Sequence, residues 1–182
     1  MLSIEKQSRL EADQTKNIEA IKKCLDILIS KHDLKGVSDL VASLCHKRGL
    51  LKESIQQMFA FLHETASKLS DKDLMRDLLE IVSKNSDGKI FCEVERARVI
   101  KDLSKIYEDD GELTHAAKIM LALQVETYGS MDRVEKIGLF LEQVRLAILI
   151  SDLEQAQIVA KKVNTKILED LNYKVYASFL ES

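Results

Sequence analysis

Histidine and cysteine are the residue types in this chain best suited to metal binding or catalysis. Four histidines and three cysteines are present, at His32, His46, His63, His115, Cys24, Cys45 and Cys92. No two histidines have the i,i+4 spacing that places two zinc ligands on one helical face. Cys45 and His46 are adjacent, but consecutive helical side chains point about 100° apart and do not share a metal readily. We therefore predict no metal site.

Other patterns that carry chemistry are missing from the sequence as well. No motif brings a nucleophile next to a base or pairs two carboxylates, as catalysis would require. The six glycines are isolated instead of forming a phosphate-binding loop, so we expect no cofactor. An odd number of widely spaced cysteines implies no disulfide framework and favours a reducing compartment. These observations predict that the chain is not an enzyme.

Charge and hydropathy narrow the possible partners and the location. The net charge is −3 and the pI is about 5.9, which gives no broad positive field for a nucleic-acid backbone. No run reaches the roughly 18 to 20 apolar residues that cross a bilayer, and no signal-peptide pattern opens the chain. We expect no nucleic acid and no membrane as partner, and a location in the cytoplasm and nucleus.

One charged stretch, EVERAR, could take part in protein recognition. Glu93 precedes Arg96 by three residues, and Glu95 precedes Arg98 by three, which allows ion pairs along one helix. One interpretation is a solvated face whose charges pair with each other. The other is that the planar guanidinium groups dock a neighbouring chain or brace the adjacent helix. We take these four residues as candidate protein-interaction residues.

The elements that position these side chains are predicted to be helices throughout. The chain has no proline and only 5% aromatic residues, which favours helices over strands. Apolar residues recur every three or four positions, as in the stripe Ile90, Val94, Ala97, Ile100, Leu103 and Tyr107. Short breaks fall at Lys31 to Asp33, Arg48-Gly49, Leu69 to Asp71, Asn85 to Gly88, Asp109 to Gly111, Gly129-Ser130 and Ser151-Asp152. Links this short make consecutive helices pack antiparallel.

Two of these breaks carry helix-capping patterns. Ser151 with Glu154 has the capping-box spacing, in which a hydroxyl oxygen accepts a hydrogen bond from a free N–H at a helix start. Ser70 with Asp73 is a weaker version of the same pattern. Both serines are therefore predicted to begin helices.

The segment QVETYGSM, Gln124 to Met131, is predicted to form a tight corner between two helices. Gly129 would end one helix in the left-handed conformation, and Ser130 would cap the next. Val125 is expected in the core and Glu126 at the surface. Tyr128 shapes the corner in one interpretation, and in the other Glu126 and Tyr128 contact another protein.

An internal period of about 40 residues indicates stacked repeats. Acidic-leucine pairs open predicted helices at Leu34, Leu74, Leu113 and Leu153, at intervals of 40, 39 and 40 residues. Such a period predicts a right-handed α-solenoid of stacked antiparallel helix pairs, similar to TPR or HEAT repeats. We expect one helical-repeat domain over residues 1–182. The apolar rhythm of Leu171 to Ser182 stops without a polar cap, so the array should be truncated and its uncovered ends could self-associate weakly.

Particular strings resemble a known family. They are IEKQSRLEAD at 4–13, KIFCEVERARVIKDL at 89–103, QVETYGSM at 124–131, FLEQVRLAI at 140–148 and KKVNTKIL at 161–168. Together they resemble the PCI-class subunits of the 26S proteasome lid. The resemblance implies a helical-repeat arm without an active site and a scaffold role in ubiquitin-dependent protein degradation. By the same resemblance, we expect this chain to be truncated at both ends and to lack the winged-helix domain that follows the arm in the family. Implied partners are other lid subunits, the ATPase ring and the core particle.

Three alternatives stay open from the sequence. The first is the related PCI-class subunit of the COP9 signalosome, and the second is a general peptide-binding repeat adaptor, although no dense set of groove residues is visible. The third is an unrecognised enzyme in which Glu93, His115 and Tyr128 would meet.

Overall fold

The computed structural model describes residues 14–47 and 50–163, and this part of the chain is helical without strands. It contains eight α-helices and two short 3-10 helices, Ile90–Cys92 and Val125–Thr127. The α-helices are α1 Gln14–Ser30, α2 Leu34–His46, α3 Lys52–Ser67, α4 Lys72–Ser86, α5 Glu93–Asp109, α6 Leu113–Leu121, α7 Arg133–Leu149 and α8 Leu153–Ala160. The predicted all-α class is confirmed. The predicted break at Arg48-Gly49 and the terminal segment Leu171 to Ser182 lie outside the described residues.

The chain divides into two compact units, Met1–Glu112 and Leu113–Ser182. Helices α1 to α5 belong to the first unit, and α6 to α8 belong to the second. The expectations of one domain over residues 1–182, of truncated ends and of a missing winged-helix domain stay predictions.

In the first unit, helices pack within the sequential pairs α1–α2, α3–α4 and α4–α5, and each helix from α1 to α3 also packs against the helix two positions later. Helix α1 contacts α2 and α3, α2 contacts α4, and α3 contacts both α4 and α5. This is the packing of a helical-repeat protein, because each helix pair covers the apolar face of the next. The largest fully buried side chains here include Leu25, Phe59, Leu62, Leu78 and Ile100. Burial of each such side chain contributes about 1.5–3 kcal/mol.

In the second unit, α7 is the central element. It contacts α6, α8 and the 3-10 helix Val125–Thr127. Its apolar stripe includes Leu139 and Leu146, which are 2% and 0% exposed, and they share the core with Met120 and Val125. A single long helix thus supplies the surface on which the shorter elements pack.

Three corners between helices share one backbone geometry, the Schellman motif. In each corner a residue with positive φ follows a helix: His32 at 54°, Gly111 at 83° and Ser151 at 61°. The next N–H then bonds back to the carbonyl five residues earlier, from Asp33 to Leu28 at 3.0 Å, from Glu112 to Tyr107 at 2.8 Å and from Asp152 to Ala147 at 2.9 Å. This pairing satisfies carbonyls that a helix end leaves without partners. The leucine that follows begins α2, α6 and α8, so the predicted period has a structural basis at three of its four positions.

The remaining position of the period, Leu74, differs from the other three. Leu74 is the third residue of α4, and Asp71 is the N-cap. The Asp71 carboxylate accepts from the N–H groups of Asp73 and Leu74 at 3.1 and 3.2 Å. The predicted cap at Ser70 is therefore wrong, because an aspartate one residue later binds the free N–H groups.

Ser151 is also not a helix cap. It takes the left-handed conformation, and the Asp152 carboxylate caps α8 by accepting from the N–H of Gln155 at 3.1 Å. The capping box with Glu154 was a wrong prediction, since the Schellman turn places Ser151 before the capping position and not at it.

The segment around QVETYGSM forms a longer connection than predicted. Helix α6 already ends at Leu121, Gly129 does not have a positive φ, and the N-cap of α7 is Asp132 instead of Ser130. The reason lies in the buried side chain of Gln143, whose Nε2 donates to the carbonyl oxygens of Met120 and Leu123 at 2.8 and 3.0 Å. Because these two carbonyls accept hydrogen bonds from a side chain, they do not need the N–H groups that a further turn of α6 would supply.

The apolar stripe predicted for the fifth helix begins later than expected. Ile90 is 80% exposed, whereas Ala97, Ile100, Leu103 and Tyr107 are buried as predicted. Gly88 has a positive φ of 69°, and residues 90–92 form a 3-10 turn before α5 begins at Glu93. The change of helix type rotates Ile90 outward and places Cys92 in the core, where it is 0% exposed.

Exchanging the residues at two equivalent corners should change stability in opposite directions. Ser151→Gly relieves the strain of a side chain in the left-handed conformation and should raise the free energy of unfolding by about 0.5–1 kcal/mol. Gly111→Ser introduces that strain and should lower it by about 1 kcal/mol. Urea unfolding followed by circular dichroism measures both. Equal effects of the same sign would contradict this account of the corners.

Removing the side-chain donor of Gln143 should destabilise the second unit. Gln143→Leu keeps the size of the side chain but leaves two buried carbonyls with one donor fewer, at a cost of about 1–3 kcal/mol. The control is Gln157→Leu, because Gln157 is exposed on α8. Thermal and urea unfolding of both variants should show a loss for Gln143→Leu alone, and an unchanged midpoint would show that the carbonyls do not need the amide.

Candidate protein-interaction surface

Arg96 braces the corner between α4 and α5. Its Nη1 donates to the backbone oxygen of Ser83 at 2.5 Å, and its Nη2 lies 3.1 Å from Oδ1 of Asp87. Its side chain is 20% exposed, so the contacts are partly shielded from water. The negative end of α4 adds to the attraction. Arg96 therefore contacts the end of α4 instead of Glu93, because the adjacent helix end offers a carboxylate and a carbonyl together. This agrees with the bracing interpretation for Arg96, and its role as a contact to another protein stays a prediction.

The other three charged residues of the EVERAR stretch differ in exposure. Glu93 and Glu95 are half-buried in the first turn of α5, and Arg98 is exposed. Two acids in a first turn suit the positive end of the helix. Their role as contacts to another protein stays a prediction, and Arg98 is the most accessible of the four.

Glu126 and Tyr128 occupy different environments in the second unit. Glu126 is exposed, as predicted, and its Oε1 accepts from Nζ of Lys162 at 2.7 Å. Partial burial acts to raise the pKa of Glu126, but the hydrogen bonds from Lys162 and the backbone lower it below its usual value. Tyr128 is 6% exposed, and Val125 is fully buried as predicted. Most of the Tyr128 ring thus belongs to the core, and its contact role stays a prediction.

A network of polar side chains joins α4 to the end of α5. Nζ of Lys72 lies 2.6 Å from Asp110, and Arg76 lies 3.0 Å from Asp73 and 3.7 Å from Asp110. The hydroxyl of Tyr107 donates to the Glu80 carboxylate. Burial and this hydrogen bond raise the pKa of Tyr107 above its usual range. Contacts between residues so distant in sequence hold two helices at a fixed separation.

A second polar contact joins α3 to α5. Nε2 of His63 lies 2.6 Å from Oδ2 of Asp102, and the two side chains are 22% and 49% exposed. Such a pair on the surface orients helices more than it stabilises them. His63 is therefore a structural histidine here.

The cysteines of α2 and of the turn before α5 are poorly suited to nucleophilic chemistry. Burial raises the pKa of the Cys92 thiol to about 12, with smaller contributions from Glu95 and Cys45. Burial also raises the pKa of Cys45. Because the thiolate is the reactive form, both groups are weak nucleophiles at neutral pH.

Two further properties of the described residues bear on site chemistry. Among residues 14–47 and 50–163, no three or more His, Cys, Asp and Glu side chains are arranged to hold a metal ion. In the same part of the chain, no helix combines the length and the apolar character of a membrane span.

Several side chains are exposed although the sequence patterns did not predict their exposure. The large apolar ones are Ile27, Leu51, Ile90, Val134, Ile148, Leu149, Leu153 and Ile158. Ile90 and Leu153 are the most exposed, at 80% and 68%. Ile90 belongs to the predicted apolar stripe and Leu153 to the 40-residue period, so these periodic patterns could not separate them from core residues.

Comparison with known proteins connects these features to a family. A family model described as PSMD12/CSN4, N-terminal, matches residues 1–181. The chain is 38% identical to the 26S proteasome regulatory subunit RPN5 of Saccharomyces cerevisiae, over 96% of this chain and 40% of that protein. It is 34% identical to the 26S proteasome non-ATPase regulatory subunit 12 homolog A of Arabidopsis thaliana, over 93% of this chain and 38% of that protein.

A relative from Dictyostelium discoideum agrees with these two. The 26S proteasome non-ATPase regulatory subunit 12 of that organism is 36% identical over 94% of this chain and 39% of its own length. The chain thus spans about two fifths of the curated relatives it matches. The names describe regulatory subunits, two of them non-ATPase. With a family model matched over nearly its whole length, the chain belongs to the PSMD12/CSN4 N-terminal family.

Proposed function

We propose that this chain is a non-catalytic structural arm of the proteasome regulatory particle lid and acts by binding other proteins in ubiquitin-dependent protein degradation. The observation that carries the proposal is the 38% identity to RPN5 over 96% of the chain. Its partners would be other lid subunits, the ATPase ring and the core particle. Its location would be the cytoplasm and nucleus, where proteasomes act.

The contacts within the first unit suit such a role. A scaffold must hold its surface in one geometry, so that binding does not first pay for ordering the helices. Arg96, Lys72 and His63 each bond to a partner on another element, at Ser83, Asp110 and Asp102. These contacts tie α3, α4 and α5 together and support a rigid surface.

The proposed contact residues divide into two groups by exposure. Arg98 and Glu126 are exposed and are the better candidates for direct contact, with Glu93 and Glu95 half-buried beside the first. Arg96 and Tyr128 would act mainly by shaping the surface, because Arg96 already binds the end of α4 and Tyr128 is 6% exposed.

The related signalosome subunit is the second candidate function. The description of the matching family pairs PSMD12 with CSN4, so membership alone does not choose between them. The three relatives reported above are all 26S proteasome regulatory subunits, which favours the proteasome. A general peptide-binding adaptor has no comparable observation in its favour.

Affinity capture of the full-length parent protein tests the proposal. A tagged parent should co-purify with lid, ATPase-ring and core-particle subunits, identified by mass spectrometry. The control is the same tag on an unrelated helical-repeat protein. Recovery of signalosome subunits, or of no complex above the control, would overturn the proteasome assignment.

Charge reversal at Arg96 and at Arg98 should separate bracing from contact. Arg96→Glu places a carboxylate against Asp87 and the Ser83 carbonyl and should lower the free energy of unfolding by about 1–3 kcal/mol. Arg98→Glu should leave the helix content unchanged, since glutamate and arginine are both good helix formers, and should reduce the lid subunits recovered with the full-length parent.

The controls for this pair are the charge-conserving variants Arg96→Lys and Arg98→Lys. Unfolding midpoints are measured for every variant, so that lost binding is interpreted only where the fold is intact. Normal lid recovery with Arg98→Glu would return Arg98 to the group of ordinary solvated residues.

A further inference from the structure

Two exposed serines lie at corners between helices and are followed by acids at the same spacing. Ser70 and Ser151 each have an acid one and three residues later, in the sequences SDKD and SDLE. The caps of α4 and α8 are Asp71 and Asp152, so neither serine hydroxyl is used to begin a helix. An exposed hydroxyl followed by acids is the pattern that a protein kinase with a basic substrate groove recognises.

The acid three residues after the serine is available in only one of the two patterns. In SDKD, Asp73 lies 3.0 Å from Nη2 of Arg76, and Lys72 places a positive charge between the two acids. In SDLE, Glu154 is exposed and forms no ion pair within the described part of the chain, and Leu153 stands where the lysine would be. The SDLE pattern therefore presents its outer carboxylate to a basic groove without a competing cation.

The corner at Ser151 is also the easier of the two to open. A serine must leave a folded corner before it can enter a kinase groove, and such local opening costs least where few apolar side chains are buried. Leu153 is already 68% exposed, whereas Leu74, at the equivalent place of the 40-residue period, is 6% exposed. The positive φ of 61° strains Ser151, and opening relieves that strain.

We propose that Ser151 is a phosphorylation site for a serine kinase that recognises acidic residues after its target. In the reaction, Oγ of Ser151 attacks the γ-phosphorus of ATP, the hydroxyl proton passes to the catalytic carboxylate of the kinase, and ADP leaves. The inference goes beyond the proposed function and does not depend on it, because it concerns a modification of the chain and not its assembly partners.

Phosphorylation of the full-length parent protein tests the site. The folded parent is incubated with Mg²⁺-ATP and a purified acid-directed serine kinase, and phosphopeptides are mapped by mass spectrometry over time. The initial rate at Ser151 should exceed the rate at Ser70 roughly tenfold, because the Ser70 pattern contains a lysine and a paired carboxylate. A kinase that requires basic residues before its target should leave Ser151 unmodified, since Ile148, Leu149 and Ile150 precede it.

Two variants separate recognition of the acid from exposure of the corner. Glu154→Gln removes one carboxylate but keeps the side-chain length and the Asp152 cap, so the rate at Ser151 should fall roughly tenfold. The matched control is Glu112→Gln, which removes an exposed acid from an equivalent corner and should leave that rate unchanged. Unfolding midpoints of both variants confirm that the fold is intact.

A synthetic peptide of residues 146–158 supplies the rate for the same segment without its fold. Phosphate on Ser151 of the folded parent, slowed by Glu154→Gln, establishes the site. Phosphorylation of the peptide but not of Ser151 in the parent rejects it, because the corner then stays closed to the kinase. Equal rates at Ser70 and Ser151, or an unchanged rate with Glu154→Gln, also reject it. The subunits that co-purify with the parent test the proposed function separately.

Discussion

The arrangement of helices depends on how each helix end satisfies its carbonyl groups. At His32, Gly111 and Ser151 one residue in the left-handed conformation turns the chain, and the next N–H returns to a carbonyl of the finished helix. The acidic residue that follows is then in place before the next helix, and at Asp33 and Asp152 its side chain caps that helix. At His32 and Ser151, which each lie within one unit, the last turn of one helix and the first turn of the next are thereby satisfied within a few residues, and the backbone geometry sets the direction of the new helix.

The sequence predicted the class of the fold and most of the breaks because both follow from local chemistry. Apolar residues every three or four positions make a helix, and acidic residues before leucine mark where one begins. The details that failed depend on residues distant in sequence or on strained conformations. Nothing local distinguishes Ser151 in the left-handed region from Ser151 as a cap. Nothing in the sequence near Leu121 indicates that the side-chain amide of Gln143, on α7, donates to carbonyl oxygens at the end of α6.

At the candidate interaction surface, too, the sequence did not predict contacts between residues that are distant along the chain. The i,i+3 spacing on α5 predicted an ion pair between Glu93 and Arg96. In the structure, Arg96 instead contacts the end of α4, where a carbonyl and a carboxylate lie close together. A pair on one exposed helix face contributes only about 0.2–0.5 kcal/mol, so a partly shielded tertiary partner easily competes with it. Exposure was predictable for Glu126, which lies in a polar turn, and was not predictable for Ile90, whose outward direction depends on a change of helix type.

In the first unit, charged side chains that pair within the fold can be distinguished from those that could contact another protein. Where α4 meets α5, side chains of opposite charge form ion pairs, as Lys72 does with Asp110 and Arg96 does with Asp87. A charge held in this way has little left to offer a partner, because breaking its internal contact offsets whatever a new one provides. Binding surfaces on a helical-repeat protein should therefore be sought where like charges or large apolar groups persist without internal compensation. In the first unit, that criterion excludes the corner that Arg96 closes.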